Sequence, residues 1–225
     1  MLRHAENRTR AMTVAPGVGL VGLLGQGNLG NDGSLEAVLA SYAEKMKSFV
    51  LWLVDNGRSV RMFTTDVHDE RITGEVIAHL RTHRPQLGSS QIVAEPVSSI
   101  DELMRQIASV DTVVASRFHN VLCALKLAEP TLSVGYAAKF GVLMEEIGLA
   151  EFCQSAHSVD VDRLIEQFTE LESRSTQLQQ MIMERTAANL RLLNHQFATL
   201  SALLFRSAEP KDAAAGHGHT RTDPF

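Results

Sequence analysis

The sequence predicts an α/β domain on a parallel sheet of about five strands, followed by a helical extension towards the C-terminal end. Three observations carry this. Short apolar runs alternate with segments of helical periodicity through the first two thirds of the chain. The run Val110-Asp111-Thr112-Val113-Val114 feeds straight into the polar turn Ala115-Ser116-Arg117-Phe118-His119-Asn120, which is how a buried strand hands over to a helix. From Asp160 onward Leu, Ile, Met and Phe recur only at helical spacing.

The elements follow in order. Residues 18–24 read as a buried strand, and the loop Gly25-Gln26-Gly27-Asn28-Leu29-Gly30-Asn31-Asp32-Gly33 follows. Ser34 is a capping residue for a helix that runs to about Asn56, with Leu35, Val38, Leu39, Tyr42, Met46, Phe49, Val50 and Leu53 on one face and Gly57 at its end. Residues 59–64 read as a strand, 66–70 as an acidic loop and 72–80 as a helix. Residues 91–94 suit a strand, and 98–108 a helix opened by a Ser-x-x-Asp/Glu cap. The strand at 110–114 and the helix at 121–126 come next, and Pro130 ends that helix. A strand at 131–135, a helix at 139–147 with Gly148 as its cap, and helices at 161–171 and 177–205 complete the chain.

Composition narrows the function classes. The 225 residues carry a net charge of −5, which offers no broad basic surface for nucleic acid. No run of about 18 apolar residues predicts a transmembrane segment, and the polar start at 1–17 predicts a flexible terminus rather than a signal peptide. Cys123 and Cys153 form no paired motif and suit a reducing, cytoplasmic setting, with Cys123 in a core helix. Residues 207–225 read as a disordered tail, in which His217 and His219 make a poor metal site. No metal is expected.

The candidate chemistry gathers at strand ends. A turn at the carboxyl end of a parallel strand is where open α/β sheets hold ligands, and a helix start favours an anion. Arg117 is a candidate bidentate clamp for carboxylate or phosphate, and His119 a candidate general acid or base. Residues two apart do not share a helix face, so the pair converges only if the turn there is not yet helical. Asp66, His68, Asp69 and Glu70 match no zinc or calcium spacing and read as an acidic helix start, with Asp66 kept as a substrate contact. Lys139 opposes the dipole of its own helix start, which with Tyr136 nearby suggests an anionic partner, although solvent exposure explains it nearly as well. Gly25-x-Gly27-x-x-Gly30 is formally a dinucleotide fingerprint, but a long helix stands where the second strand and its acidic residue belong.

Taken together, Gly27-Asn28-Leu29-Gly30-Asn31-Asp32, Ser116-Arg117-Phe118-His119-Asn120, Glu129-Pro130-Thr131, Val134-Gly135-Tyr136-Ala137-Ala138-Lys139-Phe140 and Met144-Glu145-Glu146-Ile147-Gly148-Leu149 resemble the polysaccharide pyruvyl transferase family. Residues 42–150 of this chain resemble the family's C-terminal half almost continuously, and most of the family's first domain has no counterpart here. It implies a Rossmann-like parallel sheet resembling the C-terminal half of a GT-B-type fold. It implies a strand–loop–helix remnant at 18–40, a Rossmann-like domain at 41–173 and a C-terminal helix at 174–206. It further implies pyruvyl transfer as a ketal from phosphoenolpyruvate to a glycan or lipid-linked sugar acceptor of the cell envelope, in the cytoplasm or at the inner membrane surface. Phosphoenolpyruvate is then a co-substrate and no other cofactor is needed. Arg117 and His119 would be catalytic, with Ser116, Asn120, Tyr136, Lys139, Asn28, Gly30 and Asp66 binding substrate. Two other readings stand beside it: a GT-B glycosyltransferase using Arg117 and Lys139 on a nucleotide diphosphate, and a non-catalytic remnant that binds an anion or forms a homo-oligomer. A strand and loop before residue 33 cannot make a domain alone. They must join the remaining sheet, pair with another chain or stay loose.

Overall fold

A computed structural model describes residues 16–24, 33–65 and 67–205. Its strands are β1 (Gly17–Val21), β2 (Ser59–Thr64), β3 (Ile92–Pro96), β4 (Thr112–Ala115), β5 (Thr131–Gly135) and β6 (Cys153–Ser155). Its helices are α1 (Gly33–Asp55), α2 (Val67–His83), α3 (Ile100–Ile107), α4 (Phe118–Lys126), α5 (Ala138–Ile147), α6 (Val161–Ser173) and α7 (Ser175–Leu204). The chain falls into two units, Met1–Ala187 and Ala188–Phe225. The first holds the sheet. The described part of the second is the distal half of α7 with Phe205.

All six strands are parallel, in the order β3-β2-β1-β4-β5-β6. This is a Rossmann-like sheet, as the alternation of strand and helix patterns predicts. β1 lies at its centre, paired with β2 on one side and β4 on the other. The strand before residue 33 therefore joins the sheet, the first of the three possibilities. Burial explains its place: Val18, Leu20 and Val21 are shielded from solvent, and a strand covered on both faces reads as a continuous apolar run.

Right-handed crossovers carry the helices to opposite faces of such a sheet. α1 packs against α2 and α6, while α3 packs against α4. Between α1 and α6 an aromatic cluster closes the core: Phe168 stands edge-on to Phe49 at 5.7 Å and to Trp52 at 6.1 Å. Such pairs add about 0.5–1.5 kcal/mol each beyond the area they bury. Arg58 covers Trp52, its guanidinium 5.2 Å from the ring centroid, while Nη2 reaches Glu172 Oε2 at 2.6 Å.

Several boundaries differ from the sequence expectation. The sheet has a sixth strand because Cys153–Ser155 pairs with β5, although its polar sequence gives no strand signal. A buried amide pair fastens that edge: Gln154 Nε2 donates to Gln167 Oε1 at 2.8 Å, and Gln167 Nε2 donates to the Glu151 carbonyl. Helix α1 begins at Gly33, so Ser34 lies inside it rather than ahead of it. Helix α2 begins at Val67, so Asp69 and Glu70 lie in its first turn, in keeping with the acidic helix start and not with a loop over 66–70. Helix α3 is capped as expected, Ser99 Oγ accepting from the Glu102 N–H at 3.2 Å. Among the described residues no helix is long and apolar enough to cross a membrane.

Phe168→Ala should remove the centre of the aromatic cluster and lower unfolding free energy by about 3–5 kcal/mol. Urea titration checks this; an unchanged midpoint would mean the cluster contributes nothing to stability.

Candidate functional site

The strand order changes direction between β1 and β4, and ligands of open α/β sheets bind outside the strand ends at such a switch point. β4 delivers Ser116, Arg117 and Asn120 there. Ser116 is buried, its N–H donates to the Val21 carbonyl at 3.3 Å, and its hydroxyl lies 2.8 Å from that of Tyr42 on α1. Burial pushes the Tyr42 phenol up to about 12.

Arg117 is the N-cap of α4, with extended backbone (φ −110°, ψ 137°), so the turn is not yet helical at that residue. Its carbonyl accepts from the N–H groups of Asn120 at 3.0 Å and Val121 at 3.1 Å, which starts the helix. Its side chain turns onto Asp69 in the first turn of α2. Nε donates to Oδ1 at 3.2 Å and Oδ2 at 3.1 Å, and Nη2 to Oδ1 at 2.6 Å. Asp69 is fully buried. Thr65 Oγ1 donates to Asp69 Oδ2 at 3.2 Å, and Asn120 Nδ2 donates to Thr65 Oγ1 at 3.3 Å. The ends of β2 and β4 are thus tied through one carboxylate.

Gly22, just past β1, lies under this network with φ +63°. A Cβ there would overlap Asn120 Nδ2 and come within 2.8 Å of Arg117 Cδ. Both the backbone conformation and the space demand glycine.

His119 is exposed on the first turn of α4, while the Arg117 side chain is turned onto buried Asp69. It stands edge-on to Phe118 with ring centroids 6.2 Å apart, and Lys139 Nζ sits 4.6 Å from the centroid of that ring. Phe118 in turn meets Phe140 of α5 edge-on at 5.6 Å. An exposed imidazole and an exposed ammonium therefore share one aromatic platform beside the starts of α4 and α5. Tyr136 packs on Phe140 at 5.5 Å and lines a surface cavity of about 480 Å³ with Glu145, Cys153 and Gln154. His157 Nε2 donates to the Tyr136 carbonyl at 3.3 Å.

The predicted residues thus fall into two groups: Ser116, Arg117 and Asn120 in the buried network, and His119, Lys139 and Tyr136 around Phe118 and Phe140. Asn28, Gly30 and Asp66 lie outside the described residues. Asp69, Thr65, Tyr42 and Gly22 were not singled out by sequence as site residues. For Asp69 the one signal was its place in the acidic cluster at 66–70. Cys123 is buried in α4, and burial pushes its thiol up, as it does for Cys153. Among the described residues no three His, Cys, Asp or Glu side chains are grouped to hold a metal.

No family model and no curated protein matches the chain. Among solved structures it is similar to an O-GlcNAc transferase of Thermobaculum terrenum (the K341M mutant), with a TM-score of 0.52 and 12% identity over 77% of this chain. The chain spans 32% of that protein's length. The likeness is one of fold, to a GT-B glycosyltransferase.

Arg117→Ala leaves the Asp69 carboxylate buried without its guanidinium and should cost about 3–5 kcal/mol of stability. Adding Asp69→Ala should recover part of that loss, and a double-mutant cycle by urea titration measures the coupling. Strict additivity would show that the two side chains do not act as a pair. Tyr42 gives a pH test. Its phenol ionises near 10.0 when unfolded and near 12 when folded. Its contribution is therefore complete below pH 10.0 and falls as pH rises toward 12, at about 1.4 kcal/mol per pH unit. Tyr42→Phe should flatten that alkaline slope.

Proposed function

We propose that this chain forms the donor-binding half of a pyruvyl transferase-like site, which takes phosphoenolpyruvate and passes pyruvate to paired hydroxyls of a glycan precursor. The observation that carries this reading is the Phe118 platform. A cation, Lys139, and a proton carrier, His119, each meet its ring and are solvent-accessible at the carboxyl end of the sheet. The resemblance of the surrounding sequence to pyruvyl transferases supports it.

The chemistry suits those two groups. Lys139 meets the phosphate or carboxylate of the donor as a point charge. Protonated His119 delivers its proton to the methylene carbon of phosphoenolpyruvate, and positive charge develops at the adjacent carbon. A sugar hydroxyl adds there and returns its proton to the imidazole. Phosphate departs with the electron pair of its C–O bond, and the second hydroxyl closes the ketal as its proton passes to that phosphate. General acid–base help of this kind supplies on the order of 10²–10⁴-fold. Arg117, with Nε and Nη2 engaged by Asp69, is a positioning residue that fixes the start of α4 beneath His119.

The fold similarity favours a second reading, in which the same platform receives the phosphates of a nucleotide sugar. Calorimetric titration separates them. Phosphoenolpyruvate should bind the full chain saturably, Lys139→Ala should weaken it about ten- to a hundredfold, and His119→Ala should leave affinity within a few-fold. Binding of a nucleotide sugar but not of phosphoenolpyruvate would transfer the site to the second reading. Binding of neither by folded protein would remove both.

A further inference from the structure

The distal half of α7 carries five large apolar side chains at alternating intervals of three and four: Leu190, Leu193, Phe197, Leu200 and Leu204. They are 46–73% exposed. We propose that this stripe is the seam of a coiled coil between two copies of this chain.

The spacing identifies the occupant as a helix. A repeat averaging 3.5 residues keeps its stripe in line only when the helix supercoils around another of the same period. With Leu190, Phe197 and Leu204 at the a positions and Leu193 and Leu200 at d, two full heptads are filled. The flanks identify the partner as a second copy. The e and g positions hold Asn189, Asn194, Gln196, Ser201 and Leu203, none of them charged. Those positions normally set partner choice through opposite charges, and like charges there oppose self-pairing. A neutral flank lets identical helices meet without repulsion and presents nothing to select a charged partner. The ionisable residues from 188 to 205 are Arg191 and His195, at b and f, facing away from the seam.

Area agrees. The five seam residues and Leu203 expose roughly 600–700 Å² per copy, so pairing can bury up to roughly 1,200–1,400 Å² in all, the lower end of specific interfaces. The helix need not form on association: α7 runs unbroken from Ser175, and its first half is anchored by buried Leu178 and Ile182.

Sedimentation equilibrium of the full chain at about 1–100 μM tests this. A mass twice the 24.7 kDa of the chain is expected. Leu193→Glu with Leu200→Glu should return it to the single-chain mass, with an unchanged urea midpoint showing that the sheet unit is intact. Leu192→Glu, exposed but at position c, should leave the dimer in place. A single-chain mass at every concentration would overturn the proposal. So would a dimer that survives the double substitution, or one lost equally in Leu192→Glu. None of these outcomes depends on whether the Phe118 platform binds phosphoenolpyruvate.

Discussion

A buried carboxylate governs the carboxyl end of this sheet. Asp69 is removed from water, and an ionised carboxylate in that position requires a partner with near-ideal geometry. Arg117 supplies it from the far side of the switch point, and Thr65 adds a hydroxyl. The arrangement joins β2–α2 to β4–α4 across the central strand. Gly22 is the space in which the network sits, which explains why β1 must end in a left-handed glycine.

The same constraint sorts the functional groups. With two of its nitrogens on Asp69, Arg117 orients the helix start rather than projecting its fork outward. His119, two residues on, is exposed on the first turn of α4, and the ring of Phe118, between them in sequence, carries Lys139. Along Ser116-Arg117-Phe118-His119-Asn120 the environments run from buried hydroxyl through tethered cation, half-buried ring and exposed imidazole to buried amide.

Much of the fold was legible in the sequence because apolar periodicity reports burial directly. Five strands and the long helices follow from it. β6 was not legible, since Cys153-Gln154-Ser155 is held by a side-chain amide pair with α6 and not by apolar alternation. In the site, the strand-to-helix turn at Arg117 could be read from residue type and position. The direction of Arg117 could not: its partner lies 48 residues away and looks, in sequence, like an acid favouring a helix dipole. Tyr42 was hidden for a similar reason. It fits the apolar stripe of α1, and only the fold brings Ser116 to its hydroxyl.

The aromatic cluster between α1 and α6 has a practical corollary. Trp52 is the sole tryptophan of the chain, and it touches Phe49, Phe168 and the Arg58 guanidinium at once. Its indole emission therefore comes from one known locus, the seam where the helix after the glycine loop meets the first helix of the C-terminal extension. A nearby cation and a closed apolar wall tune that emission, so the protein carries an intrinsic optical gauge of whether those two helices are docked.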